Sequence, residues 1–89
     1  SLGSRPRWRD DVIFRQLDDE WVVFDPEGDK LHTLNLTAAL VWSHLTGDVE
    51  RESIAAEVAA AFESGVTVDD VLDDVNAAIR RFRAEGLLA

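Results

Sequence analysis

The chain has 89 residues and a formal charge of −9, from 18 acidic side chains against nine basic ones. That length suits one domain in which folding buries roughly 60 to 65% of the unfolded chain's surface, and the 46% apolar content, with three Trp and four Phe, argues for a folded unit over a disordered one. The absence of cysteine excludes disulfides, thiolate metal sites and a cysteine nucleophile, and the acidic balance works against a nucleic-acid partner, whose phosphates usually dominate affinity.

Residues 1–11 read as a flexible N-terminal lead-in to a single domain over residues 12–89. The lead-in carries Arg5, Arg7 and Arg9 and has no apolar signal core, and no uncharged stretch approaches the about 20 apolar residues that span a bilayer. The expected setting is cytoplasmic, with no membrane partner. Val12 to Leu17 is expected to form a first strand with Val12, Phe14 and Leu17 on its inner side, ended by a turn at Asp18 and Asp19. Trp21 to Phe24 is a second β-prone run. It leads into Asp25-Pro26-Glu27-Gly28, which offers a turn acceptor, a fixed φ and a residue tolerant of positive φ. Lys30 to Leu34 is the third strand. Turns this short place successive strands side by side in an antiparallel meander with open edges.

From Leu31 to Gly47 no Asp, Glu, Lys or Arg occurs, although 30% of the chain is charged. Asn35 or Thr37 caps a helix reaching about Leu45, with Gly47 near its end. Ala38, Val41, Trp42 and Leu45 have the spacing of a buried face, and Trp42 brings about 150 to 250 Å² of aromatic surface to it. A second helix is expected from Arg51 to about Glu63, with Ile54, Val58 and Phe62 at four-residue steps and Gly65 as its stop. Thr67 followed by Asp70 resembles a capping box that opens a third helix, which reaches about Ala84 and ends at Gly86. Val68, Leu72, Val75, Ile79 and Phe82 mark its inner stripe, with Val71 and Ala78 at the margin. Its acids (Asp69, Asp70, Asp73, Asp74) come early and its arginines (Arg80, Arg81, Arg83) late, as the helix macrodipole favours. The fold class expected is α+β: a winged helix-turn-helix in which an N-terminal three-stranded antiparallel sheet precedes three helices.

Little in the chain points to catalysis. His32 and His44 are the only histidines and do not have the spacing of a metal pair on one helix. Ser43 and His44 are adjacent on a helix, where neighbouring side chains are expected to point in different directions, and do not constitute a nucleophile and base. Gly28, Gly47, Gly65 and Gly86 are scattered, with no phosphate-cradling cluster. No catalytic residue, cofactor or metal is expected. A DNA-reading helix would carry basic or amide residues at its leading end, where this one carries aspartates. A strand-and-helix groove fits better: a guest strand pairs with Lys30, Leu31, His32, Thr33 and Leu34, and the third helix catches its apolar side chains around Val71, Val75 and Ala78. Asp70 and Asp74 would attract a basic guest residue.

The run LHTLNLTAALVW, preceded by WVVFDPEGDK and followed by HLTG, closely resembles the PqqD-like family of small peptide chaperones, the recognition elements of ribosomal peptide natural-product pathways. The resemblance extends from about Val12 through the terminal EGLL. It implies a three-stranded winged-helix domain that captures the leader segment of a precursor peptide beside the third strand and toward the third helix. Carried onto this chain, the peptide-binding residues are Lys30, Leu31, His32, Thr33 and Leu34 on the strand and Val71, Asp74, Val75 and Ala78 on the helix. Leu31, Leu34, Val41, Trp42 and Leu45 mainly support the fold. The implied role is non-catalytic delivery of the precursor to a peptide-modifying enzyme or leader peptidase, and the free-standing length and acidic surface are compatible with a lasso-peptide pathway. Two other readings use the same core: a winged-helix protein-interaction subunit that does not itself read a leader, and a DNA-binding regulator.

Overall fold

The computed structural model describes residues 5–62 and 67–89. Three strands, β1 (Ile13–Leu17), β2 (Glu20–Asp25) and β3 (Lys30–Leu34), precede three helices, α1 (Leu36–Ser43), α2 (Arg51–Ala60) and α3 (Val68–Ala84). The sheet is antiparallel in the order β1-β2-β3. The architecture is α+β in the winged-helix arrangement expected.

Turn chemistry sets the register. The β1–β2 hairpin closes at Leu17 and Glu20 around Asp18 and Asp19, and Asp18 takes a positive φ of 51°, which aspartate tolerates better than most residues. The β2–β3 hairpin closes at Asp25 and Lys30. There the Asp25 carboxylate accepts the backbone N–H groups of Glu27 at 3.1 Å and Gly28 at 3.2 Å, so an acid that is almost wholly buried is still hydrogen-bonded. A Cβ at Gly28 would lie 2.9 Å from the Asp25 carboxylate, so the turn needs glycine for close approach.

One face of the sheet meets the helices through Val23 and Leu34, whose core includes Ala38, Val41, Trp42, Ile54, Val58, Val75, Ile79 and Phe82. Phe14 and Leu17 do not join the inner side as expected. All five β1 residues are exposed, and only Val12, ahead of the strand, packs against the core. β1 is an outer strand that packs chiefly on β2, beyond the reach of the helices.

Asn35 caps α1: its side-chain oxygen accepts the Ala38 N–H at 2.8 Å, while Thr37 lies within the first turn. Trp42 is held between two rings, stacked on Trp8 at 5.8 Å and edge-on to Phe82 at 5.1 Å. The Trp8 contact corrects the reading of the lead-in. Residues 1–4 lie outside the described residues, but from Pro6 the segment is built into the fold. The Trp8 N–H donates to the Leu45 carbonyl and the Arg9 N–H to the Leu87 carbonyl, while the Pro6 and Arg7 carbonyls accept from Gly47 and Ala89.

α2 buries Ile54, Ala55 and Val58 as the four-residue steps require, and its expected end at Glu63 and stop at Gly65 lie outside the described residues. Thr67 caps α3 by accepting the Asp70 N–H at 3.1 Å. At the other end Gly86 has φ 72°, its N–H donates to the Arg83 carbonyl, and the Leu87 N–H reaches back to the Phe82 carbonyl at 2.9 Å. This Schellman pair turns Leu87 into the core. The buried line of α3 is Val71, Val75, Ile79 and Phe82, whereas Val68 is 45% exposed and Leu72 only partly buried. The stripe therefore has a different phase at its start from the one expected, because Val68 sits in the first turn, outside the packed region.

Candidate functional site

In an antiparallel pair, residues alternate between exchanging both backbone hydrogen bonds with their partner and pointing those groups away, and a hairpin normally closes on a hydrogen-bonded pair. Both hairpins give the same phase. Counting from Leu17–Glu20, residues Glu20, Val22 and Phe24 turn their backbone groups toward β1, leaving Trp21, Val23 and Asp25 for β3. Counting from Asp25–Lys30 gives the same result. On β3, Lys30, His32 and Leu34 are therefore satisfied by β2. The backbone N–H and C=O of Leu31 and Thr33 face outward along the free edge of the sheet.

α3 runs antiparallel to this edge. Glu85 meets His32, with its carboxylate 3.2 Å from Nδ1. Arg81 meets Thr33, Nη2 donating to the carbonyl at 2.9 Å. Past the end of β3, a cleft of about 350 Å³ opens between the start of α1 and α3, lined by Asn35, Thr37, Ala38, Asp74, Ala77, Ala78 and Arg81. Alanines set its depth. Ala77 and Ala78 on one wall and Ala38 on the other present only methyl groups and leave the space between the two helices open.

The structure brings the nine expected site residues to different places. Lys30, Leu31 and Thr33 are exposed on β3, and Asp74 and Ala78 line the cleft. Leu34, Val71 and Val75 are not on its surface. Their side chains are 2%, 2% and 0% exposed and belong to the core, so a guest side chain cannot touch them without unpacking the domain. Leu34 contributes as part of the strand, while Val71 and Val75 form the packed side of α3 behind the cleft. His32 is also turned inward, with a side chain 10% exposed and an Nε2 that has no hydrogen-bond partner among the described residues. Ala77 and Arg81 lie on the cleft wall and were not anticipated. The signal was present: positions 74, 77, 78 and 81 follow the i, i+3, i+4, i+7 line of one helix face.

Residues 20–88 match the family profile of coenzyme PQQ synthesis protein D (PqqD). The chain belongs to the PqqD family. Among solved structures, it is similar to lasso peptide synthetase B1 complexed with the leader peptide, at 24% identity with a TM-score of 0.80 over 96% of this chain and 98% of that one. It is also similar to TbiB1 in complex with the TbiA(beta) leader peptide, at 23% identity with a TM-score of 0.78 over 92% and 93% of the two chains. Comparison with curated proteins returned no match. At these identities the two structures establish a shared fold.

For this PqqD-family chain, the chemistry of the edge and cleft is that of hydrogen bonding and packing. Among the described residues, no group of three or more His, Asp or Glu side chains could hold a metal ion, and no helix is long and apolar enough to cross a membrane. The displaced titrations lie on a different part of the molecule, around Arg9. Its guanidinium donates to Asp11 at 3.0 and 2.6 Å, to Asp25 at 3.1 Å and to Glu27 at 3.1 Å. The bonds to Asp11 and then Asp25 push the Arg9 pKa up. The Arg9 bond holds the Asp11 carboxyl below its ordinary value. For Asp25 the Gly28 amide does the most, with Arg9 adding to it.

Proposed function

We propose that this protein binds the leader segment of a ribosomally made precursor peptide, as a strand added to β3, and delivers it to a peptide-modifying enzyme or leader peptidase without catalysing a reaction itself. The observation that carries this reading is the outer β3 edge, with the Leu31 backbone groups and the Thr33 N–H facing outward and the Thr33 carbonyl held by Arg81, beside a cleft cut between α1 and α3. Such an edge supplies affinity through main-chain hydrogen bonds, and a neighbouring pocket supplies selectivity through alternate side chains. The other free edge, on β1, has no helical wall beside it. Family membership and the two leader-bound structural relatives support the same assignment, and the one that is a lasso peptide synthetase favours a pathway of that kind. A newly made peptide as partner fits action in the cytoplasm. In residue terms, the guest pairs along Lys30 to Leu34 through the N–H and C=O of Leu31 and the N–H of Thr33, whose carbonyl Arg81 already holds, and meets Asp74, Ala77, Ala78 and Arg81.

The test is a titration of isotope-labelled protein with the leader of the precursor encoded beside its gene, followed by backbone amide signals. Saturable shifts at Leu31, Thr33, Thr37, Ala77 and Ala78 are expected, with much weaker binding of the core peptide lacking its leader. Absence of saturable binding, or shifts confined to β1, would overturn the assignment.

A further inference from the structure

We propose that the cleft selects its guest by charge order: the guest side chains facing α3 run from basic at the Asp74 end, through apolar over Ala77 and Ala78, to acidic at Arg81. This rests on the strand-addition reading above and adds to it the class of leader and the way round it lies.

Arg81 and Asp74 stand at the two ends of one wall of the cleft. Seven residues apart on a helix, they are separated by two turns, about 10 Å along the axis. Guest residues on one face of a strand recur about every 6.8 Å, so alternate positions i, i+2 and i+4, helped by side-chain reach, span the two charges with one residue between them. That middle residue meets a wall of two alanines, which offers apolar surface and room and nothing to hydrogen-bond. Asp74 has no ion-pair or hydrogen-bond partner among the described residues and is exposed.

Arg81 is prepared for a carboxylate. Its Nε donates to Glu85 at 3.1 Å and its Nη2 to the Thr33 carbonyl at 2.9 Å, which fixes the plane of the guanidinium at the strand edge. A guanidinium has five N–H groups. Two on Nη1 and one on Nη2 find no acceptor among the described residues and remain to donate to a carboxylate. Because two bonds already hold the side chain, little ordering remains to be done when the guest arrives. The surroundings sort the two ends further, since Asp70 and Asp73 lie on the Asp74 side of α3 and Arg80 and Arg83 on the Arg81 side, where the one carboxylate in contact among the described residues, Glu85, is already engaged by Arg81 and His32. A guest laid in the opposite direction would put like charges together at both ends, a juxtaposition that disfavours wrong partners.

The experiment is a charge-swap cycle read by calorimetric titration. The probe is the leader peptide of the precursor encoded beside the gene, alongside a variant in which the acidic residue of its bound segment becomes Lys, each titrated into wild-type, Arg81→Gln and Arg81→Glu protein. The wild type is expected to bind the Lys variant about tenfold or more weakly, a partly exposed opposite-charge contact having become a like-charge one. Arg81→Gln should bring the two peptides close to each other, and Arg81→Glu should reverse the preference. Thermal melting of each variant confirms that it is folded, and Arg81→Gln serves if Arg81→Glu is not. If the leader binds all three proteins with the same preference, or its bound segment contains no acidic residue, the charge order is wrong while leader binding stands. If the leader does not bind wild type, the strand-addition reading fails first, and the charge order with it.

Discussion

Two arginines that meet the end of α3, Arg9 at the Gly86 carbonyl and Arg81 at Glu85, show how the same side chain serves two purposes. Arg9 is 20% exposed and bonds to Asp11, Asp25, Glu27 and the Gly86 carbonyl, joining the N-terminal segment, the β2–β3 turn and the end of α3. Arg81 is 40% exposed and, among the described residues, bonds only to Glu85 and the Thr33 carbonyl. The first has its donors engaged and closes the structure on itself. The second is oriented but not saturated, and it stands where a guest would lie. The degree to which donors are used, more than charge or position in sequence, separates an arginine that holds the fold from one available to a partner.

Both regions lean on one buried residue. Trp42 touches Trp8 of the N-terminal segment and Phe82 of α3, and it is 3% exposed. Trp42→Ala should therefore cost about 3 to 5 kcal/mol in a urea melt; an unchanged midpoint would remove it from the core. Arg9→Leu should come next, with a smaller loss of stability in the same melt and unchanged leader affinity for the folded fraction. A loss of affinity without loss of stability would mean the division of labour is misassigned.

The acid limb of the stability curve tests the Arg9 cluster separately. Asp11 and Asp25 have folded pKa values below the ordinary 3.8, so the unfolded chain takes up their protons first as pH falls. Their contribution is fully present above about 3.8 and is lost as pH drops through the folded values. Arg9→Leu should flatten this limb mainly through Asp11, whose largest stabilising partner is Arg9, while Asp25 keeps the Gly28 amide. An acid limb identical in both proteins would show that the cluster does not govern acid stability.

How far the sequence carried the reading depends on the kind of signal. β3 was legible to the residue, because a turn with an acceptor and a glycine precedes it and a capping asparagine follows it. The caps at Thr67 and Gly86 were legible for the same reason, and that of α1 was narrowed to Asn35 or Thr37: each is a local hydrogen-bond demand met by one side chain or one φ. The phase of α3 was harder, since Val68, Val71, Leu72 and Val75 offer two overlapping apolar lines and only the position of the neighbouring elements chooses between them. That is why Val71 and Val75 were read as groove residues. Arg81 was read as a macrodipole charge, and its second role depends on a β3 carbonyl that lies 48 positions earlier in the chain. Trp8 was hidden among arginines in a segment without periodicity, though a tryptophan there was itself a reason to expect anchoring.

The smallest stability effect should come from Arg81→Gln, and it is the most informative about the comparison. Its ion pair with Glu85 joins two partly exposed side chains one helical turn apart, a type of contact worth about 0.3 to 0.5 kcal/mol. The Thr33 carbonyl it leaves lies on an open edge, where water can take the vacated place. Melting should therefore move by no more than about 0.5 kcal/mol, in contrast with Arg9→Leu, while the leader's discrimination between acidic and basic residues collapses. If Arg81→Gln instead destabilises the fold as much as Arg9→Leu, the Thr33–Arg81–Glu85–His32 chain is a second structural clasp, and the cleft must select its guest by shape alone.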